Sequence, residues 1–142
     1  MPGWLAARPV ARSRDGHELG SRVFTPSAPS GVTALVFGGG AELEPADLAL
    51  SERFSAWGAL TVACHLGRDG EVLSDRDATA MATAALSELL ARDGVDRERV
   101  VIAGCGRGGT LAVLCACRMD GGRAHAMKFL PLPNGFCRQS RL

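Results

Sequence analysis

Residues 99–117 read RVVIAGCGRGGTLAVLCAC, an apolar β-branched run joined to a helix-like run through Gly104, Gly106, Gly108 and Gly109. A glycine-dense strand-to-helix turn does one of two chemical jobs. It lifts a nucleophile clear of a sheet, or it brings backbone N–H groups against a phosphate. The residues between the glycines decide which. Cys105 and Gly106 stand where a serine would be sought, so the first job is spelled unusually. For the second, Gly104-x-Gly106-x-x-Gly109 matches a dinucleotide-binding fingerprint. That fingerprint needs an acid about 20 residues on to hold a ribose, and residues 125–133 there read HAMKFLPLP, without one. Other thiols and imidazoles do not group as metal ligands. Cys64 and His65 are adjacent, so on a strand they point to opposite faces. Cys115 and Cys117 are two apart on a helix and do not face one another. No metal and no cofactor is expected.

The elements that must hold this turn follow from periodicity. Val23 and Phe24 suit a strand ended by Pro26, and residues 27–31, SAPSG, form a loop. Residues 32–37, VTALVF, are continuously apolar, as a strand covered on both faces should be, and Gly38, Gly39 and Gly40 stop it. Pro45 suits the first turn of a helix, with Leu50, Phe54 and Trp57 on one face and Gly58 at its end. Residues 59–64, ALTVAC, are a second buried strand. A polar loop leads to a long helix from about Asp75 to Arg92, with Met81, Ala85 and Leu89 on one face and Gly94 closing it. Strand 99–104 and a helix from Gly108 follow. The order strand, strand, helix, strand, helix, strand, helix predicts an α/β fold: a mostly parallel sheet flanked by helices on both faces. From Met119 the alternation lapses, with Ala126–Leu130 as one further strand. Residues 1–118 are therefore expected to form the domain and 119–142 a poorly ordered tail.

Bulk composition narrows the class. A chain of 142 residues that is 46% hydrophobic and 22% charged suits one soluble domain. A net charge of +1, with no clustered cations, argues against a nucleic-acid surface. There is no apolar run of about 18 residues to span a membrane. Five cysteines, mostly in apolar runs, read as buried thiols in a reducing compartment, so a cytoplasmic setting is expected.

The stretches DGHELGSRVFTP, ALVFGGG, DATAMATAALSELLARDGVDRERVVIAG and GCGRGGTLAVLCA, in that order, resemble the first half of an α/β-hydrolase. The nearest flavours are the hormone-sensitive-lipase-like esterases and the dienelactone-hydrolase-like enzymes, and the resemblance spans about Asp15 to Arg118. It implies hydrolysis of a small-molecule ester or lactone by a nucleophile on an elbow reading Gly-x-Ser-x-Gly or Gly-x-Cys-x-Gly. Laid on this sequence, the elbow glycines are Gly104 and Gly108, joined by Gly109, and the nucleophile position is Gly106. A frame shifted by one makes Cys105 the nucleophile, activated by the helix N-terminus, but puts Ala103 and Arg107 at the glycine positions. Gly38, Gly39 and Gly40 match the oxyanion loop, with Phe37 in place of its histidine and the N–H of Arg107 as second donor. A plain tight turn reads the same way. Arg68 falls where these esterases often carry a Tyr-Arg pair, and Asp77 where an Asp often begins the helix before the elbow.

Two departures follow. Gly106 has nothing to attack with. The family supplies its acid and then its histidine after the nucleophile, and here only Asp120 and His125 follow, five residues apart. An inactive chain is expected. Strand 99–104 should have the 32–37 strand as neighbour on one side, with little to cover the other, which predicts self-association through that uncovered edge.

Overall fold

The computed structural model describes residues 21–68, 70–118, 124–131 and 137–140. Six strands form one sheet: β1 (Ser21–Phe24), β2 (Thr33–Gly38), β3 (Leu60–His65), β6 (Val100–Cys105), β7 (Ala124–Pro131) and β8 (Cys137–Ser140). A separate hairpin pairs β4 (Gly67–Arg68) with β5 (Glu71–Val72). The main sheet runs in the order β1-β3-β2-β6-β7-β8. Strands β3, β2, β6 and β7 are parallel neighbours, while β1 and β8 run antiparallel along the two outsides. The α/β class and the mostly parallel sheet expected from sequence are what the chain adopts.

Among the described residues three helices cover the sheet: α1 (Pro45–Ala56), α2 (Asp75–Leu90) and α3 (Arg107–Cys117). Strand alternation sorts side chains by size. Leu35, Phe37, Val62, Cys64, Val100 and Ile102 face α2 and α3 in one core layer. Ala34, Val36, Ala63 and Ala103 face Leu50 and Phe54 of α1 in the other. Small residues beneath α1 bring it close to the strand ends that carry the glycine turns. Ser74 caps α2 by accepting the N–H of Asp77 at 3.2 Å, the role of a helix-start serine. Among the described residues no helix is long and apolar enough to cross a membrane.

Three expectations change. Trp57 does not share the buried face of Leu50 and Phe54. The helix ends at Ala56, so Trp57 is its cap, 66% exposed, with its ring edge-on to Phe54 at 5.7 Å. The segment read as a tail contributes β7 and β8, and the expected strand Ala126–Leu130 lies inside β7. The edge of β6 is therefore covered. Val100–Cys105 pair with β2 on one side and, through six register partners from Ala124 to Phe129, with β7 on the other. Pro131, which has no N–H to give a ladder, is the last residue of β7, where a missing donor is tolerated. The outer strands are β1 and β8.

Candidate functional site

The site is built where β2, β6 and α3 meet. Strand β6 ends at Cys105 and α3 begins at Arg107, so the chain reverses at one residue, Gly106. Its φ of 55° and ψ of −121° lie outside the basins that suit an L side chain. Glycine holds that apex without the strain a side chain would bring. The flanking glycines answer a different need, close approach. A Cβ on Gly104 would stand 2.5 Å from Gly109 N and 2.6 Å from Gly108 O, atoms of the α3 backbone. A Cβ on Gly108 would overlap the Phe37 carbonyl and come 2.9 Å from its carbon. The turn thus presses α3 onto β6 and β2 through bare backbone.

The first glycine loop joins this contact. A Cβ on Gly39 would lie 2.8 Å from Gly108 N, so the loop after β2 touches the first turn of α3. Arg107 ties them together. It donates to Gly39 O at 2.6 Å, to Leu73 O at 2.5 Å and to Asp75 Oδ1 at 3.0 and 3.2 Å. One guanidinium therefore fixes the glycine loop, the end of the hairpin connection and the start of α2. The first N–H groups of a helix have no intrahelical acceptor, and no side chain caps α3.

These groups open on a cavity of about 310 Å³, lined by Gly39, Gly40, Gly106, Arg107 and Gly108 on the glycine side. Cys105, Ala46, Val72 and two carboxylates, Glu44 and Asp47, complete the wall. Asp47 is only 4% exposed, and its Oδ2 accepts the N–H of Glu44 at 2.9 Å. Burial pushes its carboxyl above the usual range, partly offset by that hydrogen bond, with the Glu44 charge adding to the rise. Cys105 ends β6 one residue before the apex and packs beneath α1, its Sγ 3.8 Å from Ala46 O.

Of the residues singled out from sequence, the fold brings together Gly39, Gly40, Cys105, Gly106, Arg107 and Gly108 around one cavity. Gly38 closes β2 with its carbonyl accepting Leu66 N–H at 2.9 Å, and Gly109 lies in the α3 turn against Gly104. Asp77 serves the α2 cap, and Arg68 lies in β4. His125 is opposite Val101 near the start of β6, four residues short of Cys105, so it sits about 13 Å down the strand from the elbow. Asp120 and His17 lie outside the described residues. His65 ends β3 with its Nδ1 buried and without a hydrogen-bond partner. Among the described residues no three His, Cys, Asp or Glu side chains are grouped to hold a metal ion. Sequence reading missed Asp47, Glu44 and Asp75. First-turn acids are helix-start signals, and Asp47 after Pro45 and Asp75 after Ser74 both carry that mark, but nothing local marks Glu44.

No family model and no curated protein matches the sequence. Solved structures do. Esterase 2 of Thermogutta terrifontis, phosphonylated by cyclosarin, matches at 26% identity over 82% of this chain and 47% of its own, with a TM-score of 0.58. Hypothetical protein PA2218 of Pseudomonas aeruginosa matches at 20% identity over 80% and 38% of the two chains, with a TM-score of 0.65. A protein designated m3DLH matches at 24% identity over 87% and 61%, with a TM-score of 0.63. The chain is α/β-hydrolase-like. It spans about half the length of the esterase it matches. In an α/β-hydrolase the turn after the central strand carries the nucleophile, and oxyanion donors come from the residue after it and from the loop after an earlier strand. In this chain the turn after β6 has Gly106 at its apex, Arg107 follows it, and Gly39 of the loop after β2 lies against the first turn of α3.

Proposed function

We propose that this chain binds ester or lactone carbonyls in an α/β-hydrolase site and does not hydrolyse them. One observation carries the reading. The apex of the elbow, the nucleophile's seat, is Gly106, at φ 55° and ψ −121°. Glycine offers no atom to form an acyl intermediate, whereas the N–H groups of Gly39, Gly40 and Arg107 need no side chain to receive a carbonyl oxygen. Gly38 shapes that loop, and Gly104, Gly108 and Gly109 allow the helix to seat against it. His125 supplies no base to the elbow in this reading, because it is registered at the far end of β6. Esterase 2 of Thermogutta terrifontis is phosphonylated by cyclosarin, and this chain has no atom at the matching position to take such a group. Cys105 belongs in this reading to the cavity wall, and buried thiols suit the cytoplasm.

Two assays test it. The chain should turn over p-nitrophenyl butyrate no faster than its thiol background and gain no mass from paraoxon. Turnover lost in Cys105→Ala and kept in Cys64→Ala would overturn it and make Cys105 the nucleophile. The dinucleotide reading of Gly104-x-Gly106-x-x-Gly109 finds no ribose-binding acid in β7, which reads AHAMKFLP. Accordingly, NAD and FAD should leave the melting temperature unchanged.

A further inference from the structure

Resting on that reading, we infer that Val72 selects the ligand by its apolar chain. The cavity takes a compact ester whose short alkyl arm packs on Val72 while its carbonyl faces the glycine turns. Val72 is 59% exposed and joins neither core layer, whereas its neighbour Leu73 packs against the layer of α2 and α3. Among the described residues the exposed large apolar side chains are Trp57, Val72 and Leu114, and of these Val72 alone lines the cavity. A single exposed valine needs no explanation by itself. This one is held in place from both ends of its hairpin. Where the chain enters β4, the Leu66 N–H donates to Gly38 O at 2.9 Å. A Cβ on Gly67 would overlap Ala41 Cα and come 2.8 Å from Gly40 O, so the hairpin sits on the glycine loop backbone to backbone. Where the chain leaves β5, Arg107 donates to Leu73 O and also to Gly39 O. One guanidinium thus fixes Val72 relative to the loop that faces the carbonyl. Val72 and Ala46 are the aliphatic side chains of the lining, and Ala46 offers a single methyl. The alkyl arm of a ligand therefore finds its main contact at Val72. A volume of about 310 Å³ is at the small end for ligand sites, which limits that arm to a few carbons. The selection is by apolar contact and does not depend on the ionisation of Asp47 or Glu44.

Methyl acetate and methyl butyrate share the ester carbonyl and differ by two methylenes. Burying one methylene gains about fourfold in affinity. Ligand-observed NMR titration of the full chain should therefore give methyl butyrate a dissociation constant about fivefold to fifteenfold below that of methyl acetate. Val72→Thr keeps the β-branched shape and replaces a methyl by a hydroxyl at an exposed position, so the fold is not burdened. It should cut that ratio at least about twofold. Leu114→Ala shortens an exposed apolar side chain outside the cavity and should leave the ratio as it is. Three results would each overturn the inference and leave the carbonyl-binding reading in place: esters that bind with no gain for the longer chain, a ratio that Val72→Thr leaves intact, or a ratio that Leu114→Ala lowers as much. No binding of either ester would overturn both. Hydrolysis of the esters would overturn only the non-hydrolysing reading, and the inference would then stand or fall on the same ratio in kcat/KM.

Discussion

Replacing Gly104 by Ala tests whether the elbow is held by backbone contact. The new methyl would meet Gly108 C and O and Gly109 N, the latter two at 2.6 and 2.5 Å. None of these is the end of a flexible side chain, so α3 must lift from β6 for the methyl to fit. Overpacking a tight core costs about 1–3 kcal/mol, and a clash with backbone on the far side puts this one at the upper end, about 3 kcal/mol. Unfolding entropy of about 2.1 cal/mol/K per residue, over 142 residues, makes the slope about 0.3 kcal/mol/K. Tm should fall by about 10 °C. Gly94→Ala is the control. Gly94 has φ 87° but nothing within 4 Å of its Cβ position, so only backbone strain remains. That strain costs about 1 kcal/mol, or about 3 °C. Thermal unfolding followed by far-ultraviolet circular dichroism reads both. A Gly104→Ala loss no larger than that of Gly94→Ala would refute the close seating of α3.

Arg107→Met removes the donors to two carbonyls in a half-buried setting and should cost about 2 kcal/mol in urea unfolding. Asp75→Asn should cost less than about 1 kcal/mol, because its carboxylate is 81% exposed; equal losses would mean that the ion pair, not the carbonyls, holds the loop. Gly106→Cys puts a thiol at the N-terminus of α3, where its pKa falls. Peptide mapping should find that thiol carbamidomethylated by iodoacetamide well before Cys64. Burial and then the nearby Cys115 thiol push Cys64 up to about 12. A raised folded pKa leaves the stability intact below the unfolded thiol value and removes it between about pH 9 and 12, as the unfolded chain releases its proton first. Urea midpoints should fall across that window, less steeply in Cys64→Ala. Self-association through a sheet edge is now expected at β8, and sedimentation at micromolar concentration reads it; a single monomeric species would refute it.

What was legible in the sequence is what is local. Residues 32–37 and 59–64 announce buried strands because β2 and β3 are covered on both faces, leaving no polar alternation to blur them. The elbow was legible as a turn, but two frames competed for it, and a choice between Cys105 and Gly106 depends on where the chain reverses. The positive φ at Gly106 fixes the apex there and leaves Cys105 in the strand. Other features were out of reach because their partners are remote. Arg107 was singled out for its backbone N–H alone, and its guanidinium has acceptors, Leu73, Asp75 and Gly39, that lie 34, 32 and 68 positions away. Asp47 was not singled out, and its burial follows from small residues such as Ala63 and Ala103 letting α1 sit low on the sheet. β7 was undervalued because Pro131 and the glycines before Ala124 mask a segment whose six register partners on β6 appear only once the sheet is assembled. The same reasoning separates the two halves of the candidate site. One wall of its cavity is the glycine-rich backbone of the two turns, a pattern that any reader of the sequence meets. Its carboxyl groups, Asp47 and Glu44, also line the cavity, and no local pattern marks them as facing that turn.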